Sequence, residues 1–271
     1  MSSTYTLSGL FIYPVKSLGG IAVPTAAVTD RGLRYDRRWM LVDADGVFLT
    51  QREHPVMAQF QPVIGAHTLH FYHKQTGAAS PLCPLDDPEG TLRRVQVWDD
   101  VCTARQVLAE ADAWFSEMLG RPCSLVYMPD ASLRPVDPHY AAHGEVVSFS
   151  DGYPFLLIGQ AALDHLNSRL DVPVPMARFR PNLVFTGGEA HDEDRWAHFD
   201  LDGLRFFPVK PCGRCQVITT DQDTGARGDE PLRTLATYRR QGHKVIFGMN
   251  LLHRGEGTLR RGSTLEQIAW R

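Results

Sequence analysis

Arg94-Val95-Gln96-Val97-Trp98 alternates polar with apolar side chains, the two-residue period of a strand with one face buried and the other wet. Working outward from it, segments of similar β-type composition recur between turn residues. They are Leu7–Tyr13, Trp39–Asp43, Leu69–His73, Arg93–Trp98 and Cys123–Tyr127, then Phe155–Ile158, Asn182–Thr186, Leu204–Val209 and Gln216–Thr220. Many short strands of this kind suit a barrel or a strongly bent sheet. Helical patterns are few. Val107, Leu108, Ala111, Trp114, Phe115, Met118 and Leu119 recur at helical spacing before Gly120. Leu163, Leu166 and Leu170 mark a second helix, and Leu232, Leu235 and Tyr238 a third, with Pro231 in its first turn. The expected fold class is α+β and β-rich. The proline-rich run from Met128 to Tyr140 is the natural boundary, dividing residues 1–128 from 129–271, and the two halves could share a sheet.

The chain has 271 residues, 43% of them hydrophobic, enough for one large core or two modest ones. Its formal net charge of -3 gives no sign of the basic face of a nucleic-acid binder. The apolar run Leu10–Tyr13 is too short for a signal peptide and stops at Pro14. No stretch approaches the roughly 20 apolar residues of a membrane helix, so a cytoplasmic protein is expected. The cysteines Cys83, Cys102, Cys123, Cys212 and Cys215 are odd in number, which argues against a disulfide framework.

The strongest chemical signal is Lys210-Pro211-Cys212-Gly213-Arg214-Cys215. Besides two inert core thiols, a Cys-x-x-Cys pair has three readings. Half of a zinc site wants a second close pair, which is absent; His191 and His198 lie upstream without the usual spacing. A thioredoxin-like dithiol wants a helix after the pair, whereas Gln216–Thr220 reads as a strand. A single thiolate ligand to a soft or high-valent metal needs one cysteine only, with Lys210 and Arg214 at hand to favour the thiolate.

Four further stretches carry polar chemistry. Tyr13-Pro14-Val15-Lys16-Ser17-Leu18-Gly19-Gly20 ends a strand in Lys16, Ser17 and a glycine pair whose amides can approach an anion, though its order is not that of a Walker loop. Asp36-Arg37-Arg38-Trp39 puts adjacent arginines at a strand start, pointing to opposite faces, one towards an anion and the other to solvent. In Ala177–Phe185, alternation places Arg178, Arg180 and Asn182 on one face if the strand runs through Pro181. Asp151 lies in a turn before the Phe155 strand. Alone, each reads as an exposed turn or a surface pair. Together with a thiolate they supply what a phosphorylated, metal-bearing pterin needs.

The order of these motifs resembles the MOSC proteins that carry a MOSC N-terminal β-barrel domain. Tyr13-Pro14-Val15-Lys16-Ser17, the Arg37 region, Arg178-Phe179-Arg180-Pro181-Asn182 and Cys212-Gly213-Arg214-Cys215 are followed by Thr219-Thr220-Asp221-Gln222-Asp223-Thr224-Gly225 and Phe247-Gly248-Met249-Asn250. The resemblance runs from about Leu7 to Leu265. Within the family the chain is similar to the mitochondrial amidoxime-reducing component and to bacterial proteins that detoxify N-hydroxylated bases. The resemblance implies a MOSC β-barrel domain behind a smaller N-terminal barrel-like domain, and a molybdenum–molybdopterin cofactor. Cys215 matches the molybdenum ligand and catalytic centre, Lys16, Ser17 and Arg37 the surroundings of the pterin phosphate, and Asp151, Arg180 and Asn182 contacts to the cofactor body. Cys212 matches a neighbouring cysteine that is not the principal ligand. The implied reaction reduces N-hydroxylated compounds to N–H compounds with two electrons and two protons, releasing water. Pyridoxal phosphate binding is implied only for the domain at large.

Some relatives append an iron–sulfur domain, and others a membrane anchor. Neither is expected here, so electrons are expected from separate proteins, a flavin reductase with a ferredoxin or haem protein. Leu18 and Gly19 depart from the Cys-Arg expected after Lys-Ser in many members. Two other functions stay open: sulfur transfer through a Cys215 persulfide, as the MOSC domains of cofactor sulfurases suggest, and non-catalytic carriage of the cofactor. The resemblance implies that those sulfurase domains lack a cysteine equivalent to Cys215, which favours the reductase.

Overall fold

The computed structural model describes residues 4–86 and 88–271. Its largest sheet runs Glu266–Trp270, Trp196–Leu201, Leu204–Arg214, Lys244–Arg254, Phe155–Gly159, Leu183–Thr186, Thr6–Ile12, Ile21–Ala22, with Arg240–Gln241 paired to one end of Lys244–Arg254. Of the ladders among the described strands, the one between Phe155–Gly159 and Leu183–Thr186 is parallel and the others are antiparallel. A four-stranded sheet joins Trp39–Val42, Ser124–Tyr127, Asp100–Gln106 and Leu92–Val97. Two three-stranded sheets complete the architecture, Gly257–Arg260 with Thr25–Thr29 and Gly32–Leu33, and Phe60–Ile64 with Thr68–His73 and Cys83–Pro84. The fold is α+β and β-rich, as the sequence led us to expect.

The two halves of the chain interlock. Thr6–Ile12 is hydrogen-bonded to Leu183–Thr186, and Thr25–Thr29 to Gly257–Arg260. One core accordingly mixes Leu7, Leu10 and Ile12 with Phe155, Phe185, Trp196 and Phe206. A second core lies wholly within the first half and packs Trp39, Phe60 and Phe71 on Phe115 of the helix Ala109–Leu119. That helix ends as expected at Gly120, whose φ of 63° is a left-handed cap that costs glycine little. In Leu92–Val97 the period of two is realised: Val95 and Val97 are buried between Met40, Ala104 and Val126, while Arg94 and Gln96 are exposed.

One expected strand is absent and the possible extension of another is not formed. Gln216–Thr219 is a 3-10 turn, closed by the Ile218 N–H to Cys215 O at 3.3 Å and the Thr220 N–H to Val217 O at 3.1 Å. Its β-branched residues have no ladder to join, because the partner strand of Leu204–Arg214 begins at Lys244 and is already paired there with Gln241. Strand propensity measures fit to a neighbouring strand, and none is present. The stretch Ala177–Phe185 also differs. Met176–Arg178 is a 3-10 turn, Arg180 has a φ of 56°, and the strand starts only at Leu183. Leu204–Arg214, conversely, is longer than expected. It passes two prolines by shifting register between Pro208 and Lys210 and between Pro211 and Gly213, where a missing N–H does no harm. That extension carries Cys212 in a ladder and leaves Cys215 just beyond its end. No helix among the described residues is long and apolar enough to cross a membrane.

Candidate functional site

Lys16, Ser17, Arg37, Asp151, Arg180, Asn182 and Cys215 line one open cleft between the two halves, together with Cys212. The cleft encloses about 920 Å³, open solvent included. Its lining holds the cations Lys16, Arg37, Arg52, Arg180 and Arg214 against one carboxylate, Asp151, a balance that selects an anion.

Three of these residues owe their place to uncommon backbone. Ser17, Arg37 and Arg180 have φ of 67°, 48° and 56°, in the left-handed region that non-glycine residues seldom occupy. Each costs about 1–3 kcal/mol and persists only where surrounding contacts enforce it. The contacts are visible. The Tyr13 ring is sandwiched between guanidinium groups, with Arg37 at 4.2 Å and Arg180 at 4.3 Å from its centroid. Arg37 Nη1 donates to both Asp36 oxygens at 2.8 and 2.7 Å and to Asn182 Oδ1 at 3.2 Å, and its Nη2 donates to Arg180 O at 3.2 Å. Arg180 Nη1 donates to Leu18 O at 2.7 Å. Burial and the neighbouring Arg37 pull Arg180 down to about 10, still fully charged at neutral pH.

Asn182 is buried and its amide is used by the fold. Its Oδ1 accepts from Leu156 N at 3.2 Å and its Nδ2 donates to Phe11 O at 3.2 Å, tying two strands and Arg37 to one group. It therefore positions Arg37 rather than offering free donors. Asn182→Leu is expected to lower unfolding stability by about 2–3 kcal/mol, the cost of stranding buried polar partners. Thermal or denaturant unfolding measures this; a change below about 0.5 kcal/mol would refute the role.

Lys16 is buried and donates to Phe149 O at 2.9 Å and to Asp151 Oδ1 at 2.6 Å. Burial pushes its ammonium down to about 8 against the opposing pull of Asp151, so it is mostly charged at pH 7. The Asp151 side chain is 67% exposed to the cleft. The surrounding protein raises its carboxyl, but Lys16, Arg52 and the Trp98 indole outweigh that and hold it below the usual carboxylate range. Ser150 Oγ and Arg214 Nη2, also in the wall, are buried without a protein partner. The wall thus contains donor capacity that the fold leaves unspent.

Several expected roles change. Arg38 is not solvated: it is buried, bonding Tyr127 OH at 3.1 Å and Asp130 Oδ1 at 2.6 Å. Arg178 turns away from the cleft to Thr219 O and Asp221, both at 2.9 Å. Neither Gly19 nor Gly20 lines this cleft. The Gly19 N–H is bonded to Phe60 O at 2.9 Å, and a Cβ on Gly20 would stand 2.4 Å from the Tyr13 ring, so these glycines serve packing. The charged groups of Lys210 and Arg214 are engaged elsewhere than at the Cys215 sulfur. Lys210 lies 4.7 Å from the Tyr140 ring centroid and 4.0 Å from Asp137, and Arg214 donates to Phe247 O at 2.8 Å and Phe179 O at 3.0 Å. The cation at the sulfur is Arg52, whose Nε donates to Cys215 Sγ at 3.2 Å. Nothing in Gln51-Arg52-Glu53-His54 marks it in the sequence.

Among the described residues no group of three or more His, Cys, Asp and Glu could hold a metal ion. A metal at Cys215 would therefore have to bring most of its ligands with it. The cationic wall, the spare donors and the Cys215 thiol fit an anionic organic group that carries a metal on its own sulfur atoms.

The chain matches the MOSC N-terminal beta barrel domain over residues 4–122 and the MOSC domain over residues 144–266. It is 30% identical over 276 residues to mitochondrial amidoxime-reducing component 1 of Homo sapiens, covering 95% of this chain and 81% of that protein. This chain belongs to the MOSC family. The Mus musculus amidoxime-reducing component 1 is 32% identical, over 95% of this MOSC chain and 80% of its own length. The molybdenum cofactor sulfurase of Danio rerio is 34% identical over 93% of this chain, which spans only 32% of that longer protein.

Proposed function

We propose that this MOSC protein is a molybdenum-cofactor-dependent reductase of N-hydroxylated compounds: amidoximes, hydroxylamines and N-hydroxylated nucleobases. The observation that carries this reading is Cys215, a half-buried thiol beyond the end of its strand in a cleft lined by cations, with no group of three or more potential metal-ligating side chains among the described residues. Cys215 would ligate molybdenum. Lys16, Arg37 and Arg180 would hold the anionic part of the pterin, with Ser17 and Ser150 as hydroxyl donors and Arg214 Nη2 as a further one. When bound, the cofactor supplies a Lewis-acidic, two-electron centre.

The protein's own share is rigidity and charge. Asn182 and Asp36 fix Arg37, Tyr13 fixes Arg37 and Arg180, and Lys16 is pinned between Phe149 O and Asp151. Such a preorganised wall loses little entropy when an anion arrives. Reduction of an N–OH group to N–H consumes two electrons and two protons and releases water. The electrons would come from separate donor proteins, a flavin reductase with a ferredoxin or haem protein, in the cytoplasm. Similarity to the amidoxime-reducing components over four fifths of their length supports the reaction class.

A second reading, sulfur transfer through a Cys215 persulfide, draws support from the similarity to molybdenum cofactor sulfurases, of which the chain spans about a third. A cofactor carrier is the third. One experiment separates them: molybdenum and pterin analysis of protein purified from a cofactor-making host, followed by benzamidoxime reduction with a chemical electron donor. Near-stoichiometric metal and pterin with turnover supports the reductase. Cofactor without turnover indicates a carrier, and neither metal nor pterin indicates sulfur transfer.

A further inference from the structure

The Thr219–Arg227 loop and the Arg52 side chain have no part in the reading above, yet the fold spends many contacts on joining them. Arg52 comes from the first half of the chain and reaches Cys215 across a separation of 163 residues. Its guanidinium lies over the Trp98 ring, 4.1 Å from the centroid, with Nη2 3.8 Å from Asp151 Oδ2. Trp98 is itself held by its indole N–H to Asp151 Oδ1 at 3.1 Å, on a backbone with φ of 56°. Stacking on one side and a carboxylate at the edge leave Nε pointed at the sulfur.

The backbone beneath is clamped as well. Arg52 O accepts from Gln216 Nε2 at 3.2 Å and from Arg227 Nη1 at 3.0 Å, and Arg227 Nη2 reaches Gln51 O. Gln51 and Gln222, both buried, exchange amide hydrogen bonds at 3.3 and 3.2 Å, and Gln51 Nε2 donates to Ser17 O at 2.7 Å. The loop that presents Gln222 and Arg227 is stiffened by Asp221, whose Oδ1 accepts from Asp223 N at 3.1 Å and from Thr224 N and Oγ1 at 2.9 Å. Gly225, with φ of 71°, lets the turn lie against Pro55 and Gln59. Cys215, Gln216 and this loop thus form one rigid piece that grips the residue opposite the thiol.

We propose that Arg52 is a positioning and electrostatic residue of the Cys215 site: it holds a charge-assisted N–H hydrogen bond on the sulfur, and the Thr219–Arg227 loop keeps it there. The inference rests on the reading of Cys215 as the molybdenum ligand. A donor on a ligating sulfur withdraws electron density from it, which favours the reduced state of the centre and fixes the sulfur's direction. Arg52→Met removes the donor and keeps much of the stem, Arg52→Lys keeps the charge without the planar fork, and Arg227→Gln loosens the clamp without touching the cleft.

The holoprotein is assayed three ways: molybdenum and pterin content, the electron paramagnetic resonance spectrum of the one-electron-reduced centre with its midpoint potential, and steady-state benzamidoxime reduction. Arg52→Met is expected to keep its cofactor, shift the spectrum and move the potential negative, with kcat lower by about 10- to 100-fold, the worth of one hydrogen bond to a charged group. Arg52→Lys should recover part of that loss, and Arg227→Gln should shift the spectrum in the same direction by less. Loaded Arg52→Met with the wild-type spectrum and potential would overturn the role of Arg52 alone. Wild-type protein without molybdenum or pterin would overturn it together with the reading on which it rests.

Discussion

Cys215→Ala is expected to abolish reduction of N-hydroxylated substrates and to strip molybdenum from the purified protein, while its thermal unfolding midpoint stays within a few degrees of wild type. Cys215 is only half-buried and its Sγ has Arg52 as its polar partner, so removing the sulfur opens no large cavity. The loss falls on the metal, because no group of three or more His, Cys, Asp and Glu among the described residues could hold it instead. Cys212 is the internal control. It lies inside the Leu204–Arg214 strand, burial pushes its thiol up, and Cys212→Ala is expected to keep the metal. Paired metal analysis and turnover of the two variants check both statements. Full activity with metal bound in Cys215→Ala would make the ligand assignment wrong.

Gly248→Ala is expected to lower unfolding stability by about 3–5 kcal/mol, an unusually large effect for one methyl group. Gly248 sits in the long strand Lys244–Arg254 with φ of 79°, and a Cβ there would stand 2.6 Å from Ile158 Cγ1 and 2.8 Å from Leu157 O. Neither neighbour can retreat, since Ile158 is fully buried and Leu157 is paired on both sides in the central sheet. Gly242 shares the positive φ, at 58°, but a Cβ there meets nothing within 4 Å. Gly242→Ala should therefore lose only about 1–2 kcal/mol, the conformational part alone. Denaturant titration of both variants separates strain from collision; equal losses would show that the close approach to Leu157 O is harmless.

The sequence declared short strands bounded by turn residues, both those with a wet face and the fully buried Trp39–Val42 and Phe155–Gly159. Arg94 and Gln96 alternate with Val95 and Val97, and the ladder to Asp100–Gln106 follows from that period. Lys244–Arg254 gave no such sign, because both of its faces are partly covered and its apolar residues run on without alternation. Gln216–Thr219 misled for a different reason: β-branched residues were present and a partner strand was not. The site was legible where charged residues stand in short motifs, as at Lys16, Arg37 and Arg180. It was illegible in two respects. The left-handed backbone at Arg37 and Arg180 is held by long-range contacts among Tyr13, Arg37, Arg180 and Asn182, and Ser17 is tied to Gln51. The donor on the thiol, Arg52, is fixed by a loop more than 160 residues away, while Arg214, its neighbour in sequence, points elsewhere.

The first strand has a consequence for how this protein is made. Ser8 Oγ donates to Val184 O, 176 residues further along the chain, so the edge of Thr6–Ile12 leaves the ribosome long before the strand that covers it. Until then the nascent chain carries Leu7, Leu10 and Ile12 beside unpaired backbone groups, the kind of surface that pairs with whatever strand it meets. The closing of that sheet is a late, long-range event, and neither half can be cut away and inherited as a separate module without leaving the other's core open.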